Sequence, residues 1–268
     1  MRHSTSLIPQ FFVTAPQECP YLGNREERKL FTPIELSNAN QINNTLSKQG
    51  FRRSQNVLYR PSCSKCAACL SARISLKSHV ISKSQKRLIR YNAGLTRNLI
   101  VPNASVEQYN LFSSYINNRH VAGGMAEMNY FEYSSMIEET LVKTVLVEYR
   151  NNDKDLMGAC LTDILDDGLS MVYSFYDSTL TKNSLGSYMI LDHVKLAKEM
   201  KLNYVYLGYW VKGSPKMNYK ANFSGLEIFI NNEWRLLKKL SPKFFNEHTP
   251  TLESMSDQVL NIKFPSKP

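Results

Sequence analysis

Between Gly50 and Arg73 the sequence sets Cys63, Cys66 and Cys69 at the spacing Cys-x-x-Cys-x-x-Cys, just downstream of Arg52, Arg53 and Arg60. Thiols at i, i+3 and i+6 can turn inward on a tight loop and share one metal ion or cluster. Cys19, from the N-terminal stretch, can supply a fourth ligand for zinc or an iron–sulfur cluster. A set of buried, idle thiols fits the same spacing. The arginines offer planar forks that match phosphate or carboxylate. Cys160 falls in a strand pattern and reads as a small hydrophobe. Asp163, in the same pattern, is either a buried site carboxylate or a solvated strand-end acid before Asp166 and Asp167. The five histidines are scattered without ligand spacing, and none is assigned.

The charge is distributed unevenly. The net charge is +10, yet residues 1–35 carry four basic and four acidic residues, and residues 107–268 carry seventeen against nineteen. Residues 36–106 hold twelve Lys/Arg and no acid. A merely soluble surface mixes both signs, so an acid-free block of this length points to a polyanionic partner. The 268 residues are enough for one large domain or two ordinary ones, and 43% hydrophobic content with 15 Tyr and 12 Phe supplies real cores. No apolar run approaches about 18 residues, so no membrane span is expected. The start, Met1-Arg2-His3-Ser4, leads into no apolar region of the secretory kind. Five cysteines, an odd number, argue for a reducing compartment, the cytoplasm.

The elements that must position these residues follow from periodicity. Ser37 caps a helix to about Lys48, with Ile42 and Leu46 on one side and Gly50 as its stop. Short strands at Val57–Tyr59 and Ala72–Leu76 flank the cysteine loop. Ser82 caps a second helix in which Lys83, Lys86, Arg87 and Arg90 share one face, a repulsion that a phosphate backbone would relieve. After a strand from Leu95 to Val101, Ser105 and Gln108 form a capping box for a third helix. A further helix covers Tyr130 to Glu139. Strands at Thr144–Tyr149, Leu156–Ile164 and Leu169–Tyr176, a helix from Leu185 to Met200 and a strand at Asn203–Trp210 complete the series. That order is the order of an acetyltransferase-like core. Such cores cradle a pyrophosphate on a small-residue turn at a helix start. Here the turn has one glycine, Gly186, and Tyr188 stands in the second small slot, which argues against coenzyme A.

Gly50-Phe-Arg-Arg-Ser-Gln, Tyr59-Arg-Pro, the three cysteines, Ser84-Gln-Lys-Arg, Thr162-Asp163, Ser184-Leu-Gly, Tyr206-Leu-Gly-Tyr and Met217-Asn-Tyr-Lys-Ala-Asn-Phe occur in this order. From Cys19 to about Trp234 the chain resembles the bacterial aspartate/glutamate leucyltransferases, relatives of the eukaryotic arginyl-tRNA–protein transferases. The resemblance implies an α+β fold: a small cysteine-bearing domain (1–104), a GNAT-like transferase domain (105–240), and a peripheral tail (241–268). It implies transfer of leucine from leucyl-tRNA to proteins whose first residue is Asp or Glu, marking them for degradation by the N-end rule. The arginyl branch has Cys-x-x-Cys where this chain has Cys19-Pro20-Tyr21-Leu22, which favours the leucine-donating branch.

An aminoacyl ester is already activated, so the transfer needs no cofactor, ATP or covalent intermediate. An α-amino group of pKa about 7.7–8.0 is partly neutral near pH 7, and positioning can supply up to roughly 7–11 kcal/mol. The expected roles are Asp163 as proton acceptor, and Tyr219 or Lys220 stabilising the oxyanion or a ribose oxygen. Arg52, Arg53, Tyr59, Arg60, Tyr206 and Tyr209 are expected to bind substrate. Strand alternation lets only one of Arg52 and Arg53 reach the acceptor. Lys83, Lys86, Arg87 and Arg90 are expected to hold the tRNA. The alternatives are a CoA-dependent acetyltransferase with a nucleic-acid-binding module, and a non-enzymatic zinc-bearing RNA-binding protein.

Overall fold

The computed structural model describes residues 9–119, 125–241 and 255–264. It is a mixed α/β structure. The N-terminal strands are β1 (Phe12–Val13), β2 (Gln17–Glu18), β3 (Glu26–Glu27), β4 (Lys29–Pro33), β5 (Arg52–Ser54) and β6 (Val57–Pro61). β2 and β3 form a two-stranded ribbon, and the others form a sheet of order β1-β4-β6-β5. Helix α1 (Ala39–Ser47) buries Ile42 and Leu46, as their spacing requires, against Leu30, Phe51 and Leu58. Gly50, at φ +85°, turns the chain out of that helix and into β5.

The second sheet has eight strands in the order β14-β13-β7-β12-β11-β10-β9-β8. They are β7 (Cys69–Ser75), β8 (Thr96–Ile100), β9 (Thr144–Arg150), β10 (Leu156–Ile164), β11 (Gly168–Tyr176), β12 (Tyr204–Val211), β13 (Leu226–Ile230) and β14 (Glu233–Leu236). α2 (Lys83–Tyr91) separates β7 from β8, and α3 (Val106–Arg119) and α4 (Tyr130–Glu138) precede β9. α5 (Leu185–Glu199) connects β11 to β12, and a 3-10 segment, Pro215–Asn222, follows β12. The sheet does not respect the expected boundary at residue 104. β7 and β8 both come from the first 104 residues, and β7 lies between β12 and β13, hydrogen-bonded to both. β13 and β14 form a hairpin turned at Asn231 and Asn232, both at positive φ.

Alternation on the strands divides the core. Val147, Tyr149 and Cys160 pack with Leu191 and Val194 of α5 on one face. Leu146, Ala159 and Leu161 pack with Phe112, Tyr133 and Ile137 of α3 and α4 on the other. Capping boxes start α2 and α4, at Ser82/Gln85 and Asn129/Glu132, and the same reciprocal pair of bonds joins Ser105 and Gln108 before α3. Most of the expected peripheral tail lies outside the described residues, but its described part is not peripheral. α6 (Met255–Leu260) gives its Gln258 carbonyl to Arg60. Lys263 exchanges two hydrogen bonds with Gln49, and Ile262 is buried beside α1. Among the described residues no helix is long and apolar enough to cross a membrane.

Candidate active site

β11 and β12 run parallel but pair only over Gly168–Ser170 and Tyr204–Tyr206, then diverge. β12 is irregular between Tyr206 and Tyr209, and Gly208 there has φ +69°. The Arg52 side chain enters this opening. Its guanidinium donates to the Val172 carbonyl of β11 and lies so close to Gly208 that a Cβ would collide with it. The glycine in Tyr206-Leu-Gly-Tyr therefore serves both backbone conformation and the passage of an arginine. Around Arg52 stand Tyr21, Tyr59, Tyr209 and Tyr219. No carboxylate pairs with it among the described residues, whereas the buried Arg53 and Arg73 each have one.

Arg53, the next residue, points the other way, as alternation requires. It forms a bidentate pair with Asp163, Nε to Oδ2 at 2.7 Å and Nη2 to Oδ1 at 2.6 Å. Thr144 and Asn43 also donate to that carboxylate, at 2.9 and 3.4 Å. Asp163 is fully buried and its acceptor positions are occupied, so it has no lone pair facing a substrate. The proton-acceptor role expected of it gives way to a structural one: it ties β10 to α1, β5 and β9.

Lys220 is buried and reaches back under β12. Its Nζ donates to the carbonyls of Leu207 and Tyr209, at 2.7 and 2.6 Å, on either side of Gly208. Burial first, then the nearby charge of Arg52, lower its pKa to about 7. It can therefore exchange a proton near neutrality. Tyr219 is 40% exposed at the side of the cleft, and the protein packed around its inner edge raises its pKa, so its hydroxyl stays protonated as a donor. Tyr173 and Tyr176, from β11, were not singled out by sequence; they lie beside Arg52 and Tyr219 respectively.

Other expected residues divide into two groups. The Tyr59 and Tyr209 rings lie tilted against each other, centroids 6.0 Å apart, and the Tyr209 hydroxyl donates to the Tyr59 carbonyl. Arg60 lies over the Phe51 ring at 5.0 Å and lines the same cavity as both tyrosines. Tyr206 is not drawn in: it bonds Asp167 and Arg73, the latter stacked between Tyr204 and Trp234. Tyr188 is buried against Tyr149, so it does not occupy the turn before α5. The Tyr176 ring lies against Gly186 there instead.

Cys19, Cys63, Cys66 and Cys69 line one cavity of about 230 Å³ with Tyr21, Tyr59, Arg60 and Tyr209. All four are free thiols. Burial and the neighbouring thiols push Cys69 up to about 12, and burial also raises Cys63. Arg25 donates to Cys66 Sγ at 3.1 Å. Among the described residues no three Cys, His, Asp or Glu side chains are gathered closely enough to hold an ion. As placed, the thiols do not fit a metal or a cluster.

Lys83, Lys86, Arg87 and Arg90 are all exposed on α2, without acidic partners among the described residues. Gln85 Nε2 bonds the Asn222 carbonyl at the end of the 3-10 segment, and Asn92 Nδ2 bonds the Asn183 carbonyl before α5. α2 is thus fixed to both segments that flank the opening between β11 and β12.

The sequence matches two family descriptions, "Arginine-tRNA-protein transferase, N terminus" over residues 17–87 and "Arginine-tRNA-protein transferase, C terminus" over residues 107–230. Both halves thus carry the marks of an aminoacyltransferase, an enzyme class that the open cleft and basic helix accommodate. The aspartate/glutamate leucyltransferase of Ruegeria pomeroyi is 54% identical over 268 residues, covering 100% of this chain and 98% of its own. Those of Jannaschia sp. (54%, 99% and 93%) and Paracoccus denitrificans (50%, 99% and 99%) are similar over the same extent. The chain belongs to the aspartate/glutamate leucyltransferase family. Among solved structures, L-PGS from Bacillus licheniformis overlaps 53% of this chain and 45% of its own at 12% identity, with a TM-score of 0.41, too slight a likeness to carry an argument.

Proposed function

We propose that this enzyme moves leucine from leucyl-tRNA to the α-amino group of proteins beginning with Asp or Glu, marking them for degradation. Arg52 carries the reading: a half-buried guanidinium without a carboxylate partner, set in the opening of an acyltransferase-like sheet. A partly desolvated cation left unpaired is costly, and an acceptor's acidic side chain supplies the missing charge. Asn in place of Asp leaves the guanidinium unpaired again, a discrimination of several kcal/mol. The donor approaches along α2, whose basic face meets tRNA phosphates beside the cleft. Lys220, held at the β12 irregularity, takes the proton released as the amine attacks the ester carbonyl and gives it to the ribose oxygen that leaves as the ester C–O bond breaks. The Tyr219 hydroxyl donates toward the oxygen on which charge develops. The larger sheet, with α5 between β11 and β12, is read as GNAT-like; the N-terminal sheet with the cysteine loop is the accessory unit that brings Arg52 to it.

The test is mass analysis of peptides beginning with Asp, Glu or Asn after incubation with leucyl-tRNA, for the native enzyme and for Arg52→Gln. The native enzyme adds leucine to the first two, and Arg52→Gln loses the preference for Asp over Asn while still binding leucyl-tRNA. A variant that keeps the full preference places the acid reader elsewhere.

A further inference from the structure

The thiol-lined cavity has no part in the transfer as described so far. Its walls come from five separate stretches: residues 19–29, residues 59–70, Tyr209 of β12, residues 229–232 and Gln258 of α6. Three of the four tyrosines around Arg52, namely Tyr21, Tyr59 and Tyr209, are also part of that wall. Arg52 itself is not on the cavity wall, but these three tyrosines stand beside both, so a carboxylate held by Arg52 lies next to the cavity. The volume, about 230 Å³, is below the roughly 300–1,000 Å³ of sites for drug-sized ligands. The lining mixes apolar surface, side-chain amides and both signs of charge, with Arg25 and Lys29 against Glu26 and Glu27. That mixture suits a main chain with variable side chains better than one fixed ligand. α2, with its basic face, is tied instead to the 3-10 segment and the turn before α5.

We propose that this cavity is the acceptor subsite beyond the first residue: an extended polypeptide, its acidic N-terminal side chain on Arg52, runs out past Tyr59 and the Cys63–Cys69 loop. The inference rests on the reading of Arg52 given above. It separates the two substrates, with the tRNA arriving along α2 and the protein leaving through the N-terminal unit.

The test uses the full-length enzyme with its native thiols and two acceptors: aspartic acid α-amide, which has nothing behind its first residue, and a longer peptide beginning with Asp. Maleimide labelling of Cys63, Cys66 and Cys69 is followed residue by residue by mass mapping. With the longer peptide at about ten times its Kd, labelling in the cavity slows about tenfold; the amide gives no such protection. Equal labelling rates with and without the longer peptide, in enzyme that still leucylates it, overturn the proposal. So does one metal ion or cluster per chain held by these thiols, since it would fill the cavity. Ala67→Trp, on the cavity wall, gives a kinetic check: the ratio of kcat/KM for the longer peptide to that for the amide falls about tenfold, a loss of about 1.4 kcal/mol. An unchanged ratio in the folded variant counts against the subsite. Protection by the longer peptide without transfer to either acceptor would refute the assigned reaction while leaving the subsite standing.

Discussion

Neighbouring residues of the same type have opposite fates here. Arg53 is neutralised by Asp163 in the interior, whereas Arg52 is left without an acid in the cleft. Replacing Asp163 by Asn removes the charge that Arg53 needs, and breaking a buried pair costs about 3–5 kcal/mol. Chemical denaturation of D163N should show that loss; an unaltered midpoint with a collapsed kcat would restore Asp163 as the base. Lys220 makes a prediction of opposite kind. Its neutral form accepts the proton, so kcat/KM rises as pH rises through about 7. Loss of the Arg52 charge lets that pKa rise, and the acidic limb of the R52Q profile moves to higher pH. The same depressed pKa acts on stability: between about 7 and the ordinary lysine value of about 10.4 the unfolded chain binds more protons. Lys220's contribution is thus full above that range and lost as pH falls through about 7. Sequence made Arg52, Lys220 and Tyr219 legible as candidates because charged and aromatic residues in tight motifs are conspicuous. It could not rank Asp163, because its burial comes from α1 and β5, more than a hundred residues away.

At the level of elements, periodicity and capping boxes identified most helices, although the cap expected at Ser37 lies instead within a 3-10 turn, Leu36–Asn38, that leads into α1. Ser82 and Gln85 fixed the start of α2, and Ile42 and Leu46 fixed the buried side of α1. The sequence pattern did not reveal which strands pair, because hydrogen bonding across a sheet leaves no trace in local alternation. α2 is also where the tRNA prediction belongs. Each phosphate contact contributes about 0.7–0.9 to the slope of log affinity against log salt. Replacing Lys86 and Arg87 by Ala, both exposed, should flatten the slope for charged tRNA by about one to two units. Filter-binding titrations over a range of salt would read it, and an identical slope would move the tRNA off this helix.

The molecule as a whole is not two beads on a string. β7, expected in the first domain, is an inner strand of the larger sheet, with Leu70, Ala72 and Ile74 buried in its core. A fragment of residues 1–104 should therefore melt without a cooperative transition in calorimetry; a sharp transition would make it an autonomous domain. The position of β7 also bears on how the protein is made. Ser75 pairs with Tyr204, and at about 5–20 residues per second roughly 130 residues of synthesis separate them, a delay on the order of ten seconds. Throughout that interval β7 hangs from the ribosome with both edges open, a template for any other strand that arrives. A nascent chain stalled before Tyr204 is thus an aggregation hazard that the finished enzyme is not, and yield should depend on how quickly translation crosses the stretch between them.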